Sequence, residues 1–370
     1  MRILVQCYFL VLIILLNGCQ KDTGGLKIID IDTNIIGIHQ LSEIADSVHP
    51  IILETKPECL IARINKVKFS REFIYVSDGH YVTQFDKEGN FIRHINKRGR
   101  GPGEIVQVLD FCIGETGNYI YILSYKKLGK YKINGQLINE TTLPLFSTQV
   151  EYVNYSLWLI SENVAIKKDD GKSHNISYLA QFNTSMEQID STLLYDIGLK
   201  QGFVALNPML INFSFVKSGV YFYKPVVLIE PVVRDTLMKL ENNKLIPAMK
   251  FNFGENLNQL IINQKQIINV PPYKKFLIFG IYATMQNFFI HYSLKDIHYF
   301  ICYDTNKNSI LNTTEGFEDD FYGSGKVILK PVNYATNFMY FTKNGFEVFD
   351  KLGLVDENSN PVIFKVFLRR

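Results

Sequence analysis

The feature that most limits the fold is a repeated hairpin. An aromatic or apolar strand runs into a polar turn rich in Asp, Asn and Gly, and a second apolar strand resumes. It occurs as FDKEGNFI at Asp86, YKINGQLI at Asn134, FNTSMEQI at Asn183, KLENNKLI at Asn242, YDTNKNSI at Asp304 and FDKLGLV at Asp350. Asp or Asn opens each turn through its side chain, and Gly or Asn takes the positive-φ position. The occurrences recur about every 45 to 60 residues, near the period of propeller blades. A four-stranded sheet cannot bury both faces alone, but sheets set radially about an axis cover one another. The expected fold is therefore all-β: a six-bladed β-propeller of four-stranded antiparallel blades. Surplus length goes into insertions, the largest from Phe253 to Lys275. The rival, a pair of β-sandwiches, does not require one turn type at blade spacing.

The rest of the chain agrees. EFIYVSDG, NYIYILSY and GVYFYKP read as further short strands. QLSEIADSVH predicts one or two helical turns, and ENLNQLIINQKQI is the longer helical candidate. Strands do not alternate with helices, which excludes a doubly wound α/β sheet. With 47% hydrophobic and 20% charged residues over 370 positions, the composition is globular. A net charge of +3 with scattered Lys and Arg excludes a nucleic-acid partner.

The first residues, MRILVQCYFLVLIILLNGC, follow another logic. One early cation, Arg2, precedes an apolar run ending at Leu16, too short to span a bilayer comfortably and right for a signal-peptide core. LNGC resembles the lipobox of bacterial lipoproteins, which are cut before a lipidated cysteine. That resemblance implies a signal peptide over residues 1–18, a lipidated Cys19, a tether over 19–40 and a propeller domain over 41–370. Acyl chains on Cys19 contribute about 0.8 kcal/mol per buried methylene, enough for stable anchoring. Gln20, Lys21 and Asp22 resemble a surface-export signal. The expected location is thus the Gram-negative outer membrane, surface-exposed, with a periplasm-facing anchor as the alternative.

NKRGRGPGE, Asn96 to Glu104, collects three cations, three glycines and a proline. It lacks the Lys-Ser/Thr and the helix of a P-loop, and its glycine spacing is not that of a dinucleotide fingerprint. It reads as a blade-to-blade connection, with Lys97, Arg98 and Arg100 as candidate contacts to an anionic glycan or partner. SDGH makes Asp78 and His80 the other binding candidates, against a plainer reading as a turn Asp beside a surface His. DKEGN lacks the spaced oxygens of a calcium loop, and EGFEDDF, Glu315 to Phe321, reads as a solvated acidic loop.

Seven histidines form no zinc motif, and no G-x-S-x-G elbow occurs. No catalytic residue, metal or cofactor is assigned. Cys59, Cys112 and Cys302 lie in apolar contexts without a C-x-x-C pair and read as buried free thiols, with one disulfide left open. Trp158 reads as core.

LSEIADSVHPIILET (Leu41 to Thr55), VSDG, QFDKEGNFIRHINKRGRGPGEI, RDTLMKLENNKLIPAMKFNFG and the terminal NPVIFKVFL carry a resemblance. The chain resembles the six-bladed β-propeller lipoproteins of Gram-negative gut-type bacteria, relatives of NHL-repeat propellers. Ile105 departs from the family pattern, which has an aromatic there, and INKRG replaces a more Gly-rich lead-in. The resemblance implies a lipid-anchored binding or scaffolding module for a glycan, a peptide or a partner envelope protein. The alternative is an enzyme, a carbohydrate- or lactone-type hydrolase or a lyase, with a metal-assisted site at the central channel. Inward His, Asp or Glu within metal reach favour the enzyme; a plugged, apolar or basic channel favours the binder.

Overall fold

The computed structural model describes residues 26–114, 117–199, 212–216, 219–223, 236–241, 244–254, 276–284, 286–295, 297–332, 336–353 and 358–369. Its strands form successive antiparallel meanders, the plan of a β-propeller. The first blade comprises Lys66–Phe69, Ile74–Ser77, Val82–Phe85 and Phe91–His94, bonded in that order. The second runs from Asp110–Ile113 to Leu137–Thr142 and the third from Phe146–Val153 to Gln188–Leu199. The fourth runs from Asn212–Val216 to Lys244–Asn252 and the fifth from Phe276–Ala283 to Ser309–Thr314. Lys27–Asp30, in the stretch expected to be tether, pairs in parallel with the outer strand of the fourth blade.

The last sheet is different. It has three strands, with Val362–Leu368 between Ala45–Ile51 and Phe338–Lys343. It ties the start of the folded chain to its end and leaves the carboxy-terminal strand paired on both sides.

The turn repeat explains why six four-stranded blades are expected and five sheets of four or more strands are found. In the first blade Asp86 Oδ1 accepts from the amides of Glu88 and Asn90 at 3.0 and 2.8 Å, and Gly89 takes φ +95°. A Cβ at Gly89 would lie 2.2 Å from the Ile52 carbonyl oxygen, so only glycine fits. Asn134, Asn183 and Asp304 cap the equivalent third-to-fourth-strand turns in their blades. Asn242 lies outside the described residues. Asp350 is not in a turn at all: it lies in the one α-helix among the described residues, α1 (Gly345–Leu352). Asn344 caps α1 reciprocally with Glu347, and Gly353 ends it at φ +63° with its amide on the Phe349 carbonyl at 3.0 Å. Five hairpins thus belong to five blades, and the sixth resemblance is a capped helix.

QLSEIADSVH makes the lesser of the two expected helical lengths. Leu41–Glu43 makes a single 3-10 turn, and Ala45–Ile51 is already a strand, pulled into pairing with Val362–Leu368. The candidate helix ENLNQLIINQKQI, and the Phe253–Lys275 insertion beyond Gly254, lie outside the described residues.

Apolar cores lie between neighbouring sheets. Tyr75 and Val82 of the first blade meet Phe111, Ile120 and Tyr131 of the second. Cys112 and Leu123 of the second meet Val150, Leu157 and Leu159 of the third, with Trp158 buried nearby. The closing sheet is buried on both faces, and its middle strand alternates accordingly. Ile363 joins Val67, Phe69 and Tyr340 against the first blade, while Phe364 and Val366 join Phe289 and Phe300 against the fifth. Each such aliphatic or phenyl side chain contributes about 1.5–3 kcal/mol on burial.

Asn360, the first residue of NPVIFKVFL, locks this closure. Its Oδ1 accepts from the Ile61 amide at 2.7 Å, and its Nδ2 donates to the carbonyls of Glu54 and Cys59 at 2.8 and 2.9 Å. Cys59, Cys112 and Cys302 are buried and free, so the open disulfide is not formed.

Candidate functional site

The NKRGRGPGE loop joins the outer strand of the first blade to the inner strand of the second, as a blade-to-blade connection should. Buried Asn96 anchors its start, accepting from the Val82 amide at 2.8 Å and donating to the His80 carbonyl at 3.0 Å. Lys97–Arg98 then pairs in parallel with Glu104–Ile105. The Glu104 carboxylate turns inward and accepts the Gly101 amide at 2.9 Å. Gly103, at φ +70°, donates to Glu140 at 2.8 Å, and the Tyr131 hydroxyl donates to its carbonyl at 3.0 Å. Lys127 bonds the carbonyls of Gly101 and Glu104, each at 3.3 Å, and pairs with Glu140 at 2.8 Å. Lys127 first, then the Gly103 amide, keep the Glu140 carboxyl below the usual range. The loop is fixed to the second blade, and Lys97, Arg98 and Arg100 are left exposed on it.

Asp78 and His80 lie at the same end of the first blade, and the two segments touch. Besides the Asn96 bond to His80, the Val108 amide donates to the Gly79 carbonyl at 2.8 Å. Asp78 itself is occupied: its Oδ1 accepts the amides of His80 and Tyr81 at 2.7 and 2.8 Å. This is the plainer of the two readings, a turn-capping Asp beside an exposed His. The sequence reading did not single out Tyr81, whose ring stacks on His94 at 4.2 Å.

The first strands of neighbouring blades pack on one another, Asp110–Ile113 against both Lys66–Phe69 and Phe146–Val153. Their inward charges pair. Lys66 bonds Asp110, and Lys68 bonds Glu151 at 2.7 Å with both side chains nearly buried. Asp110 also accepts the amides of Phe111 and Val150, each at 2.9 Å, so one carboxylate holds three blades in register. Burial pushes the Lys66 ammonium pKa down, but Asp110 and then Glu151 more than restore it, and it ends above its ordinary value. No residue of this network was legible as a site. Its partners lie 44 and 83 positions apart.

EGFEDDF is not a solvated loop throughout. Buried Asp319 accepts from the amides of Phe321, Tyr322 and Ser324 and from the Ser324 hydroxyl, at 3.2, 3.2, 3.1 and 2.6 Å. Asp320 accepts the Ser42 amide at 3.0 Å. Among the described residues no three His, Cys, Asp or Glu side chains are grouped as a metal site, and no helix is long and apolar enough to cross a membrane.

A cleft of about 590 Å³ opens at the opposite end of the first blade. It lies between the Ser70–Phe73 turn, Lys87 and the closing sheet, with Lys365 on its wall. Cys19, with the rest of the amino-terminal segment, lies outside the described residues.

Comparison with known proteins places the fold. An exported protein from Bacteroides fragilis is similar over 94% of this chain and all of its own, at 16% identity and a TM-score of 0.65. A protein of unknown function from Bacteroides thetaiotaomicron aligns over 90% of this chain and 75% of its own, at 10% identity and TM-score 0.42. The β-propeller domain of Swd1 from Myceliophteria thermophila aligns over 76% and 95%, at 10% identity and TM-score 0.41. No curated protein sequence matches the chain. The family described as a domain of unknown function, DUF4934, matches residues 26–367, and the chain belongs to that family.

Proposed function

We propose that the protein is a binding module of the Gram-negative cell envelope, lipid-anchored through Cys19 at the outer membrane. It presents Lys97, Arg98 and Arg100 to an anionic glycan, peptide or partner protein. The observation that carries this reading is the loop itself. Three exposed cations stand on a backbone pinned by Glu104, Glu140, Tyr131 and Lys127, and none of the three forms an ion pair among the described residues. A loop ordered before it meets a ligand loses little further entropy on binding. The inner-strand carboxylates favour a binder over an enzyme, because Asp110 and Glu151 are engaged by lysines and backbone amides. The lipobox at Cys19 and the likeness to a protein described as exported support the envelope location.

Two experiments test this. Cys19→Ala should move the protein from the membrane fraction to the soluble one; continued membrane retention contradicts the anchor. The wild type should elute from an immobilised polyuronate at higher salt than the triple variant Lys97→Gln, Arg98→Gln, Arg100→Gln. Identical elution removes the loop from the reading.

A further inference from the structure

The strand Val362–Leu368 is apolar except for Lys365. A lysine there is expensive, because its half-buried ammonium loses part of its water. Its cross-strand neighbours are His49 and Tyr340. The ammonium nitrogen lies 4.1 Å from the ring centroid of Phe338, 5.0 Å from Phe367 and 5.1 Å from Phe69. Such ring contacts offset part of the lost hydration. They do not neutralise the charge, and no carboxylate pairs with Lys365 among the described residues. Burial and the positive charge of Lys87 together push its pKa below the ordinary value, a strain that a bound anion relieves.

The surroundings share this bias. His49, Arg71 and Lys87 join Lys365 around the cleft of about 590 Å³, and among the described residues no acidic side chain lines it. Neither Arg71 nor Lys87 has an ion-pair partner among the described residues. Phe73 and Phe367 supply apolar wall. The volume falls in the range of small-molecule sites and far exceeds what an inorganic ion fills.

We infer that this cleft binds a small organic carboxylate with a ring-shaped body, its charge meeting Lys365 and Arg71 and its ring lying against Phe73 and Phe367. The site is separate from the Lys97–Arg100 loop. The turns that form it, at Ser70–Phe73 and Asp86–Asn90, lie at the end of the first blade opposite the turn at Asp78. Loss of one function therefore leaves the other readable.

The test titrates the full chain with phenylacetate and with phenylacetamide, its neutral isostere. Calorimetry gives the affinity, and the methyl resonances of Ile51 and Ile74, both in the cleft, report the place. A ligand of this size is expected to bind with Kd of about 1 mM or tighter. Phenylacetate should bind at least about tenfold tighter than the amide and shift both methyls. Lys365→Met should abolish the preference, and Arg71→Gln, on an exposed residue, should weaken it several-fold. The triple Lys97, Arg98, Arg100 variant should bind as the wild type does. Equal affinity for the two probes, or no saturation by about 10 mM, overturns the inference. Shifts centred elsewhere, or inorganic phosphate binding as tightly as phenylacetate, overturn it equally.

Discussion

Lys66 and Lys365 stand on strands whose side chains enter the seams between neighbouring sheets, and their environments are opposite. Lys66 meets Asp110, with Glu151 close enough to add to the field, and its pKa rises above the ordinary 10.5 despite burial. Lys365 meets three aromatic rings and another cation's field, and its pKa falls. The histidines repeat the contrast. His174 sits between Asp196 and Asp170, at 2.5 and 3.1 Å, and its pKa is raised by those two bonds. His291 lies against Phe300 and Phe279, with ring centroids 4.2 and 4.6 Å away, and its Nε2 shares a 2.8 Å hydrogen bond with His298 Nδ1; burial, with a smaller contribution from His298, lowers its pKa to about 4. A base beside a carboxylate helps to hold the fold together. A base among rings costs stability, and Lys365, with no ion-pair partner among the described residues, is available to something else.

The sharpest way to break this contrast is to remove the paired lysine. Lys66→Met leaves Asp110 in a nearly buried site without its cation, and unfolding stability should drop by about 3–5 kcal/mol in urea denaturation. A loss below about 1 kcal/mol would put Lys66 in the same class as an exposed lysine. Next in size is Asn360→Leu, which removes the bonds of Asn360 to the Ile61 amide and the Cys59 carbonyl and leaves the Glu54 carbonyl with the Cys59 thiol. We expect about 2–3 kcal/mol, since the closing sheet's satisfied polar group stabilises where its unsatisfied one does not.

The pH response comes third. His291 binds its proton more weakly folded than unfolded, so its contribution to stability is intact above about 6.5 and declines as pH falls towards 4. His291→Phe should flatten that decline. His174 has the opposite sign: its contribution is full below about 6.5 and is lost as pH rises through its higher folded value. His174→Gln should therefore remove stability from the acidic side only, and a matched acid loss in both variants would erase the distinction. The smallest effect belongs to Lys365→Met, which should leave stability unchanged or raise it by up to about 1 kcal/mol, read from the urea midpoint.

Much of the fold was legible because it is local. The Asp86, Asn134, Asn183 and Asp304 turns are each written in a few consecutive residues, and the side-chain caps found there are the ones those residues predict. The overcount at Asp350 had a local cause too: Asn344-Gly-Phe-Glu347 is a capping box, and Gly353 a helix stop, which outweigh a turn reading of FDKLG. The basic loop was visible as a motif, though the inward Glu104 and the anchoring Asn96 make most of it scaffold. Lys365 was not visible as a site. One lysine in VIFKVFL carries no local motif, and its setting comes from residues near positions 49, 71 and 87 that only ring closure brings together. The Lys66–Asp110 pair was hidden for the same reason, since it bridges two blades.

Titrating both lysines directly, by the ¹³Cε shifts of labelled protein from pH 8 to about 12, is the closest test of the partner rule. We expect Lys66 to deprotonate above 10.5 and Lys365 below it, in the same sample. Coincident titration of the two, or the reverse order, would show that a carboxylate neighbour does not separate the lysine that holds the fold from the one that is free to bind.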